Sequence, residues 1–441
     1  RHLAHHDGLT GLPNRTRFHE HLAAALGRCE RGHRQLALLG IDFDRFKEVN
    51  DCFGHEAGDR FLIKASERLT DCLPPSTMVA RLGGDEFAVV LEHVASSADV
   101  RTTAAELIEA FKEPVDIGEQ QWFSTISLGA SLSGGLGVDQ QQLLKQADLA
   151  LYEAKERGGN TVSLYHPTLS LRQTHRFGLQ HDLRHAIAQD DLVLHYQPKV
   201  RMADSALAGY EALLRWSHPE RGAVAPSIFI PAAEDCDLIA PLGELVLRKA
   251  CAQLAAWKHD GLDPAPIAIN VSAAQLLRQD LAGLIKRTLD ETGISPHLLE
   301  LEVTESMIVE HSQRVRDLLS ELRALELGIT LDDFGTGYSS LGYLQSLPID
   351  KIKIDKSFVQ HIRGPGEDIA IIRAIIAMAH SLGIEVIAEG VETEAQRKVL
   401  ESVGCDQIQG YLISRPVAPM ALDLWHVTGN TSFNESRAAA L

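Results

Sequence analysis

The second half of the chain alternates short apolar runs with longer stretches of helical periodicity. The apolar runs predict strands at Leu192–Gln197, Ala208–Leu214, Ile267–Val271, Leu299–Thr304, Gly328–Asp332, Lys351–Asp355, Glu385–Ala388 and Gln407–Tyr411. Eight strands alternating with helices over about 250 residues are typical of a TIM-type (β/α)8 barrel. An open doubly wound sheet would give a similar pattern, and the placement of the polar residues favours the barrel.

The first half has a different pattern, in which fewer apolar runs are separated by amphipathic stretches. Leu36–Ile41 and Phe87–Leu91 predict strands, while His55–Leu73 and Leu143–Arg157 predict helices, the second ended by two glycines. This is the pattern of a mixed α/β domain. The predicted organisation is a first domain at 1–165, a linker at 166–178, a barrel at 179–428, and a tail at 429–441 that we interpret partly as an expression remnant.

Composition and charge narrow the range of possible functions and cellular locations without identifying one. The 441 residues are 45% hydrophobic and carry a net charge of −18, without a Lys/Arg run that could follow a phosphate backbone, so a nucleic-acid polymer is not an expected partner. The six cysteines form no CxxC pair, which argues against zinc and disulfides and favours a cytoplasmic location. The chain begins at Arg1 rather than Met, so we expect an upstream sensory or membrane-anchoring region.

Polar side chains, most of them oxygen-bearing, stand at the ends of seven predicted strands of the second half. They are Glu211, Asn270, Glu302, Asp332 with Asp333, Lys353, Glu389 and Gln409. The C-terminal strand ends of a barrel converge on one mouth, and clustered carboxylates stay ionised only beside positive charge. Lys353 and Arg215 supply some of that charge, and oxygen ligands without His or Cys indicate Mg²⁺ or Mn²⁺ for the rest. Two such ions would suit displacement at phosphorus.

The stretch Leu331-Asp-Asp-Phe-Gly-Thr-Gly-Tyr-Ser-Ser340 has two interpretations. It is either an exposed strand end that runs into a turn, or a metal site followed by a mobile lid. Under the second interpretation the pleat ends at the strand terminus, so that Asp332 and Asp333 both turn toward the mouth. Gly335 and Gly337 would then let the following loop close.

Across residues 178–428, the segments EALLRW, INVS, EVTES, DDFGTGYSS, KIKID, AEGVE and QGYL occur in the order that resembles the EAL phosphodiesterases. This resemblance implies hydrolysis of cyclic di-GMP to linear 5′-pGpG with two Mg²⁺ or Mn²⁺ ions, and a homodimer formed through the barrel. It implies that the metal ligands or their close support are Glu211, Asn270, Glu302, Asp332, Asp333 and Glu389, with Asp332 as the bridge.

The same resemblance assigns the remaining roles. It implies that Lys353 orients the attacking water, that Arg215 and Gln409 lie in the substrate pocket, and that Glu305 anchors the loop after Asp333. The residues expected to carry catalysis are Glu211, Asp332, Lys353 and Glu389. Asp355 and Glu392 are either substrate-binding residues or simple strand-end charges.

In the first half, Arg81-Leu-Gly-Gly-Asp-Glu-Phe87 lies between apolar segments. Gly83 and Gly84 suit a hairpin turn, because glycine accepts the positive φ that tight turns need. Glycines also let a nucleotide approach the backbone, and Asp42 and Asp85 could together hold Mg²⁺ on a triphosphate. Spacing alone leaves both interpretations open.

Residues 3–165 resemble a GGDEF domain, and Asp7-Gly-Leu-Thr-Gly-Leu-Pro-Asn-Arg15 matches the opening segment of that family. The resemblance implies a palm-like, ferredoxin- or adenylate-cyclase-like α/β fold that condenses two GTP into cyclic di-GMP. The implied GTP site consists of the metal ligands Asp42 and Asp85 with Glu86 beside them, the glycines Gly83 and Gly84, the guanine contacts Asn50 and Asp59, and the phosphate contacts Lys47 and Lys155.

Two departures from the GGDEF pattern bear on activity. Gly158-Gly159-Asn160 lacks the arginine that the family usually carries there, and Pro74-Pro-Ser-Thr77 replaces the Arg-x-x-Asp product-inhibition site. The first domain is therefore either an active cyclase or a GTP sensor that activates the barrel. A third interpretation is that both domains bind nucleotides without catalysing a reaction. The complete set of polar residues at the predicted barrel mouth argues against this interpretation for the barrel.

Overall fold

The structure, a computed structural model, describes residues 4–32, 34–117, 120–133, 139–310, 312–335, 344–362 and 369–422. It divides into two compact units, Arg1–Phe177 and Gly178–Leu441. Gly337 and the predicted tail at 429–441 lie outside the described residues. None of the described helices combines the length and the apolar character needed to cross a bilayer.

The first unit is built on a mixed sheet with helices packed against it. Its elements are α1 (Arg15–Gly32), β1 (Gln35–Phe43), α2 (Phe46–Phe53), α3 (His55–Asp71), β2 (Met78–Gly83), β3 (Glu86–Val94), α4 (Ser97–Ala110), β4 (Val115–Asp116), β5 (Gln121–Trp122), β6 (Ile126–Leu132), α5 (Gln140–Glu156) and β7 (Val162–Leu164). The five-stranded sheet has the order β2-β3-β1-β6-β7, and β4 and β5 form a separate two-stranded sheet. The expected α/β class is confirmed.

The core of this unit contains a cluster of aromatic side chains around Phe43. The ring of Phe43, at the end of β1, lies edge-on to Phe61, Phe87 and Phe111, with ring centroids 5.1–5.4 Å apart. Aromatic pairs prefer such edge-to-face contacts. They fix the end of β1 against β3, where Asp42 pairs in register with Glu86.

A continuous helix, α6 (Pro167–Ala188), runs through most of the segment expected to be a linker. The division between the two compact units falls inside it, between Phe177 and Gly178. The mixed polar composition of 166–178 predicted a linker, and residues 167–178 are helical in the structure.

The second unit is an eight-stranded barrel surrounded by helices. Its elements are β8 (Leu192–Arg201), β9 (Leu207–His218), β10 (Gly222–Val224), α7 (Pro226–Asp235), α8 (Ile239–His259), β11 (Ile267–Asn270), α9 (Ala273–Arg278), α10 (Leu281–Thr292), a 3-10 turn (Pro296–Leu298), β12 (Leu299–Thr304), α11 (Glu305–Glu310), α12 (Ser312–Ala324), β13 (Gly328–Phe334), β14 (Lys351–Ile354), α13 (Lys356–Gln360), α14 (Ala370–Ser381), β15 (Glu385–Ala388), α15 (Glu394–Ser402) and β16 (Gln407–Gln409). The sheet order β9-β11-β12-β13-β14-β15-β16-β8 closes through the β8–β9 pairing.

The barrel is confirmed, but the expected regular alternation of strands and helices is wrong at its start. Strand β8 runs antiparallel to both of its neighbours, β9 and β16, while the other barrel pairs are parallel. Only residues 202–206 separate β8 from β9. A parallel crossover needs about a dozen residues or more, so this short connection forms a hairpin instead.

Candidate active site at the barrel mouth

Lys353 of β14 lies at the centre of a group of acidic side chains at the barrel mouth. Its Nζ is 2.5 Å from Glu389, 2.7 Å from Glu302, 3.3 Å from Asp332 and 3.6 Å from Glu211. The Lys353 side chain is 1% exposed. We call these five residues, Glu211, Glu302, Asp332, Lys353 and Glu389, the mouth cluster. It brings together residues from five different strands or strand ends, as expected of a barrel mouth.

Two amides hold the Glu211 carboxylate in place. Asn270 Nδ2 donates to Oε1 at 2.8 Å, and Gln409 Nε2 donates to Oε2 at 2.6 Å. Gln409 Nε2 also donates to Gln197 Oε1 at 3.1 Å. Glu211 is not at a strand end, as the sequence pattern suggested, but inside the long strand β9. Its position in the mouth follows from β9 extending past the barrel to pair with β10.

Asp332 and Asp333 face the same place for a reason that differs from the expected one. Strand β13 does not end at Asp332 but continues to Phe334, and its pairing with β14 shifts register between Leu331 and Phe334. Asp333 takes φ +54° within this irregularity, a left-handed conformation that Asp tolerates better than most residues. A bulge rather than a strand end therefore brings both carboxylates toward the mouth.

Glu305, the first residue of α11, is 3% exposed and contacts the segment after Asp333. Its Oε2 accepts a hydrogen bond from the backbone N–H of Gly335 at 2.9 Å. Gly335 has φ +98°, and a Cβ there would lie 2.9 Å from Phe358 Cε2. Glycine is thus required at this position for its backbone conformation and for its space.

Other predicted barrel residues lie at the rim. Arg215 is half-buried, which lowers the pKa of its guanidinium, and it donates to the backbone oxygen of Leu214. Asp355 caps α13 by accepting the Ser357 N–H at 2.9 Å, so it already has a structural function. Glu392 is exposed, just before the cap of α15 at Thr393.

Burial and the close spacing of charged groups shift the pKa values of side chains in the mouth cluster. Burial, reinforced by the carboxylates of Asp332 and Glu211, raises the pKa of Glu389 to about 8 despite the ammonium of Lys353. Burial also raises the pKa of Asp332, and the nearby Glu302 adds to this effect. Burial disfavours the Lys353 ammonium, yet Glu211, Glu302 and Glu389 outweigh it and raise its pKa well above the ordinary value. More carboxylate is present than one lysine neutralises.

The donor set fits a hard divalent cation. Carboxylate oxygens of Asp332, Asp333 and Glu389 lie within 4.8 Å of one another. Gln409 Oε1, on a side chain 3% exposed, is buried without a hydrogen-bond partner among the described residues. Oxygen donors with excess negative charge are the environment that Mg²⁺ or Mn²⁺ takes, whereas zinc favours nitrogen and sulfur.

Sequence reasoning missed a second set of charged residues, which lies deeper in the barrel. Lys199 of β8, Glu300 of β12 and Lys351 of β14 form buried ion pairs, and Thr330 of β13 adds a hydrogen bond to Glu300. The signal was present in the period-two alternation of Leu299-Glu-Leu-Glu302 and Lys351-Ile-Lys-Ile354, because alternate strand residues share a face.

The first unit brings together the expected acidic pair and one lysine. Lys155 Nζ lies 2.7 Å from Asp42 Oδ1. Burial raises the pKa of Asp42 against the effect of Lys155, with Asp85 and Asp44 contributing to the rise. Asp85 stands in the turn between β2 and β3, where Gly84 has φ +54°. The turn thus places Asp85 close enough to Asp42 to affect its charge.

Asp44, which the sequence analysis did not single out, holds the segment that lacks the expected arginine. Its carboxylate accepts Thr125 Oγ1 and Ser127 Oγ at 2.6 Å each, and the Asn160 N–H at 2.9 Å. Gly159 has φ +74°, and a Cβ there would lie 2.9 Å from Asp44 Oδ1. A side chain at position 159 would therefore meet both strain and the Asp44 carboxylate.

The expected nucleotide contacts of the first unit are partly assembled. The side chain of Asn50 packs against the backbone of Gly58, where a Cβ would lie 2.1 Å from Asn50 Oδ1. Asp59 is the next residue and is exposed on α3, while Lys47 is exposed on α2. Glu86 is exposed, 3.7 Å from the Arg15 guanidinium.

Two family models match the chain: "Diguanylate cyclase, GGDEF domain" over residues 4–161 and "EAL domain" over residues 180–416. MucR of Pseudomonas aeruginosa, named a bifunctional diguanylate cyclase/cyclic di-GMP phosphodiesterase, is 40% identical over 415 residues, covering 94% of this chain and 60% of MucR. NbdA of the same organism, named a cyclic di-GMP phosphodiesterase, is 39% identical over 423 residues, covering 96% of this chain and 54% of NbdA. The chain thus spans little more than half the length of these relatives.

Solved structures agree with the two-unit fold. The PaMucR phosphodiesterase in its c-di-GMP complex aligns with a TM-score of 0.54 at 43% identity, covering 56% of this chain and 99% of that one. The S helix-GGDEF-EAL structure of Vibrio cholerae LapD aligns with a TM-score of 0.61 at 22% identity, covering 94% and 97%. The second alignment is a likeness of fold alone.

Proposed function

The chain belongs to the EAL family, with a GGDEF domain preceding its barrel, and on this premise we propose that the barrel hydrolyses cyclic di-GMP to 5′-pGpG in a metal-dependent reaction. The observation that carries the proposal is the mouth cluster, in which one buried lysine contacts four carboxylates. The names of MucR and NbdA support the same substrate.

The mouth residues have complementary tasks in this proposal. Glu211, Asn270, Glu302, Asp332, Asp333 and Glu389 hold two Mg²⁺ or Mn²⁺ ions or support those that do. Bound divalent cations supply the charge that activates water and stabilises an in-line displacement at phosphorus. The Lys353 ammonium, fixed among the carboxylates, orients the attacking water. Glu305 holds the backbone after Asp333 through the Gly335 N–H.

Substrate contacts are expected at the rim. A half-buried guanidinium at Arg215 suits a phosphate oxygen, because it offers planar donors and a permanent charge. Gln409 Oε1 is an acceptor without a partner among the described residues, suited to an N–H or O–H of the substrate. Asp355 and Glu392 complete the proposed set from the outer edge.

Product analysis tests the proposal. The purified chain with Mg²⁺ or Mn²⁺ is expected to convert cyclic di-GMP to 5′-pGpG, and Glu211→Ala to lose this activity. Asp204→Ala, which removes an exposed carboxylate paired with Arg201 on the same barrel, is the matched control and should act like the parent. A Glu211→Ala variant as active as the parent would refute the proposed role of the mouth.

Calcium provides an independent test of the metal chemistry. Ca²⁺ binds oxygen at longer distances and with looser geometry than Mg²⁺, so it should occupy the mouth without supporting hydrolysis. Inhibition by Ca²⁺ that excess Mg²⁺ relieves is expected. Full activity with Ca²⁺ alone would count against the two-ion mechanism.

For the first unit we propose GTP binding with Mg²⁺ at Asp42 and Asp85, followed either by cyclisation to cyclic di-GMP or by activation of the barrel without turnover. The proximity of Asp42, Asp85 and Lys155 supports the nucleotide site. The name of MucR supports cyclisation, and the glycine at position 159 supports the sensor. A sensor must bind GTP more tightly in the active state of the barrel.

The Glu211→Ala variant separates these outcomes, because it prevents hydrolysis of any product. Incubation with GTP and Mg²⁺ that yields cyclic di-GMP would establish a cyclase, whereas bound but unconsumed GTP would support the sensor. If neither unit turns over its nucleotide while both bind, the chain is a binding module. A homodimer and a cytoplasmic location remain predictions, of which sedimentation of the purified chain tests the first.

A further inference from the structure

A second layer of polar side chains lies inside the barrel, directly below the mouth cluster. Lys199, Glu300 and Thr330 are at most 3% exposed, and the Lys351 side chain is 18% exposed. Glu300, Thr330 and Lys351 each stand two residues before a mouth residue on the same strand, so their side chains share its face. We call these four residues the interior layer. Barrel interiors are more often filled with branched apolar residues.

Glu300 accepts hydrogen bonds from the other three residues of the interior layer. Its Oε1 accepts Lys199 Nζ at 2.8 Å and Thr330 Oγ1 at 2.7 Å, and its Oε2 accepts Lys351 Nζ at 2.6 Å. Both oxygens of the Glu300 carboxylate therefore accept hydrogen bonds, and three donors fix its orientation.

Lys199 connects Glu300 to the mouth cluster. Its Nζ also lies 3.3 Å from Glu302 Oε1, while Glu302 Oε2 accepts Lys353 Nζ at 2.7 Å. The two oxygens of Glu302 are thus divided between a lysine from below and a lysine in the mouth. Lys353 shares its charge with three further mouth carboxylates, whereas Lys199 is anchored to Glu300.

We propose that Lys199 is a positioning residue, which Glu300 anchors so that it holds Oε1 of Glu302 and leaves Oε2 turned toward the mouth for a divalent cation. The proposal rests on the proposed function of the mouth as a metal site. It makes the interior layer part of the metal site without placing any of its members in contact with the ion, since partners behind a ligand set its orientation.

The sign of the effect on metal binding separates positioning from simple electrostatics. Loss of the Lys199 charge makes the barrel interior more negative, which by Coulomb attraction alone would strengthen the binding of a dication. Loss of positioning frees Glu302 to turn and weakens that binding. A role in folding alone would change stability and leave the affinity as it was.

The test is a calorimetric titration of the full chain with Mn²⁺ in the absence of substrate, counting only the binding that Glu211→Ala abolishes. Lys199→Met, which keeps the length of the side chain and removes its charge, should weaken this binding by about tenfold or more, the range found when such supporting partners are lost. Lys351→Met is the matched control: it removes the same charge from the same Glu300 partner, without the contact to Glu302.

The control should bind Mn²⁺ within about twofold of the parent, because the orientation of Glu302 is retained. Equal weakening by Lys351→Met and Lys199→Met would overturn the proposal, since the contact to Glu302 would then be irrelevant. Unchanged or tighter binding by Lys199→Met would overturn it as well.

The double variant Lys199→Met/Glu300→Gln keeps the net charge of the barrel and carries the test if Lys199→Met does not fold. Removing both partners avoids leaving the buried Glu300 carboxylate with only Lys351 to compensate its charge. Mn²⁺ binding should again fall by about tenfold, now without any change in charge. Parental affinity in the double variant would contradict positioning by Lys199.

Hydrolysis assays on the same samples separate this proposal from the function on which it rests. If the parent binds Mn²⁺ but does not hydrolyse cyclic di-GMP, while Lys199→Met still weakens the binding, the proposed function fails and the positioning role stands. If the parent hydrolyses cyclic di-GMP and Lys199→Met binds Mn²⁺ like the parent, only the positioning role fails.

Discussion

The two acidic sites of this chain differ in how their negative charge is compensated. In the barrel, Lys353 is 1% exposed and lies within 3.6 Å of four carboxylates. In the first unit, Lys155 remains 43% exposed and contacts Asp42 at 2.7 Å. Water screens the second pair far more than the first. The barrel site is therefore organised by buried side-chain contacts, whereas the first site has a more exposed ion pair that organises it less.

The two sites also differ in how many neighbouring side chains hold their functional residues in place. The mouth cluster stands on the interior layer, whose members are held by strands on several sides of the barrel. The glycine turn of the first unit is held by two arginines. Arg81 donates to the Gly84 oxygen at 2.7 and 2.9 Å and to Asp7 Oδ1 at 2.9 Å, and Arg15 Nε donates to the Leu82 oxygen at 3.2 Å. Substitutions should thus have larger consequences in the barrel than in the first unit.

The largest effect is expected from Lys353→Met. It leaves four carboxylates, three of them buried, without their shared cation, and removing one partner of a buried ion pair costs about 3–5 kcal/mol. Urea unfolding of the metal-free protein should show this loss in the second unit. Hydrolysis of cyclic di-GMP should fall by at least about 10²-fold, because the attacking water loses its orienting group.

Lys155→Met is the counterpart in the first unit. Its exposed ion pair with Asp42 should contribute less than about 1 kcal/mol. If Lys155→Met destabilises its unit as much as Lys353→Met destabilises the barrel, the contrast between a buried and a screened site is wrong.

Gly335→Ala should have an intermediate effect. The residue has φ +98°, and its Cβ would approach Phe358 Cε2 to 2.9 Å, so strain and overlap together should cost about 1–3 kcal/mol. Hydrolysis should fall as well, because the Gly335 N–H holds Glu305 beside Asp333. Thermal unfolding and initial rates measure the two effects.

Gly404→Ala in the same unit is the control, since Gly404 has φ +80° with open space around the position of a Cβ. It should cost only about 1 kcal/mol from backbone strain and leave hydrolysis at the parental rate. Equal loss of activity in both variants would show that the Gly335 contact has no special role.

A smaller effect than that of Gly335→Ala is expected from Asp7→Asn in the first unit. Although burial opposes it, hydrogen bonds from Arg81 and Thr10 lower the pKa of Asp7 below its ordinary value. The folded state therefore gains stability from this carboxylate above its unfolded pKa and loses it as pH falls through the folded pKa. The variant should be less stable by about 1–2 kcal/mol at pH 7.

Thermal unfolding of Asp7→Asn and the parent at pH 7 and at pH 3 measures this dependence. The difference between them should shrink at pH 3, which lies below the ordinary pKa of 3.8 at which the unfolded carboxylate takes up a proton. Hydrolysis by the barrel should be the same in the variant and the parent. A difference of the same size at both pH values would mean that the ion pair with Arg81 does not stabilise the turn.

Much of the barrel could be predicted from local pattern. The bounds expected for β12, Leu299–Thr304, and for β15, Glu385–Ala388, match the structure. The direction of β8 was missed, since apolar runs do not encode strand direction. The predicted strands at Leu192–Gln197 and Ala208–Leu214 already left only residues 198–207 between them, fewer than a parallel crossover needs. Connection length was the neglected signal.

The residues proposed for the site were easier to select from the sequence than their geometry was to predict. Adjacent carboxylates at Asp332 and Asp333 pointed to the mouth, but the bulge that turns both inward depends on pairing with β14, a long-range contact. Lys199 was overlooked because it lies beyond the strand predicted at Leu192–Gln197, and Glu300 because site residues were sought at the ends of strands. Only barrel closure makes their face of the sheet an interior one.

Anomalous diffraction from crystals grown with Mn²⁺ would show whether the mouth cluster gathers carboxylates around a site for divalent cations. We expect anomalous peaks in contact with oxygens of Asp332, Asp333 and Glu389, with Lys353 still buried beside them. Peaks only elsewhere on the chain, with Lys353 alone filling the space between the four carboxylates, would show that the mouth is not a metal site.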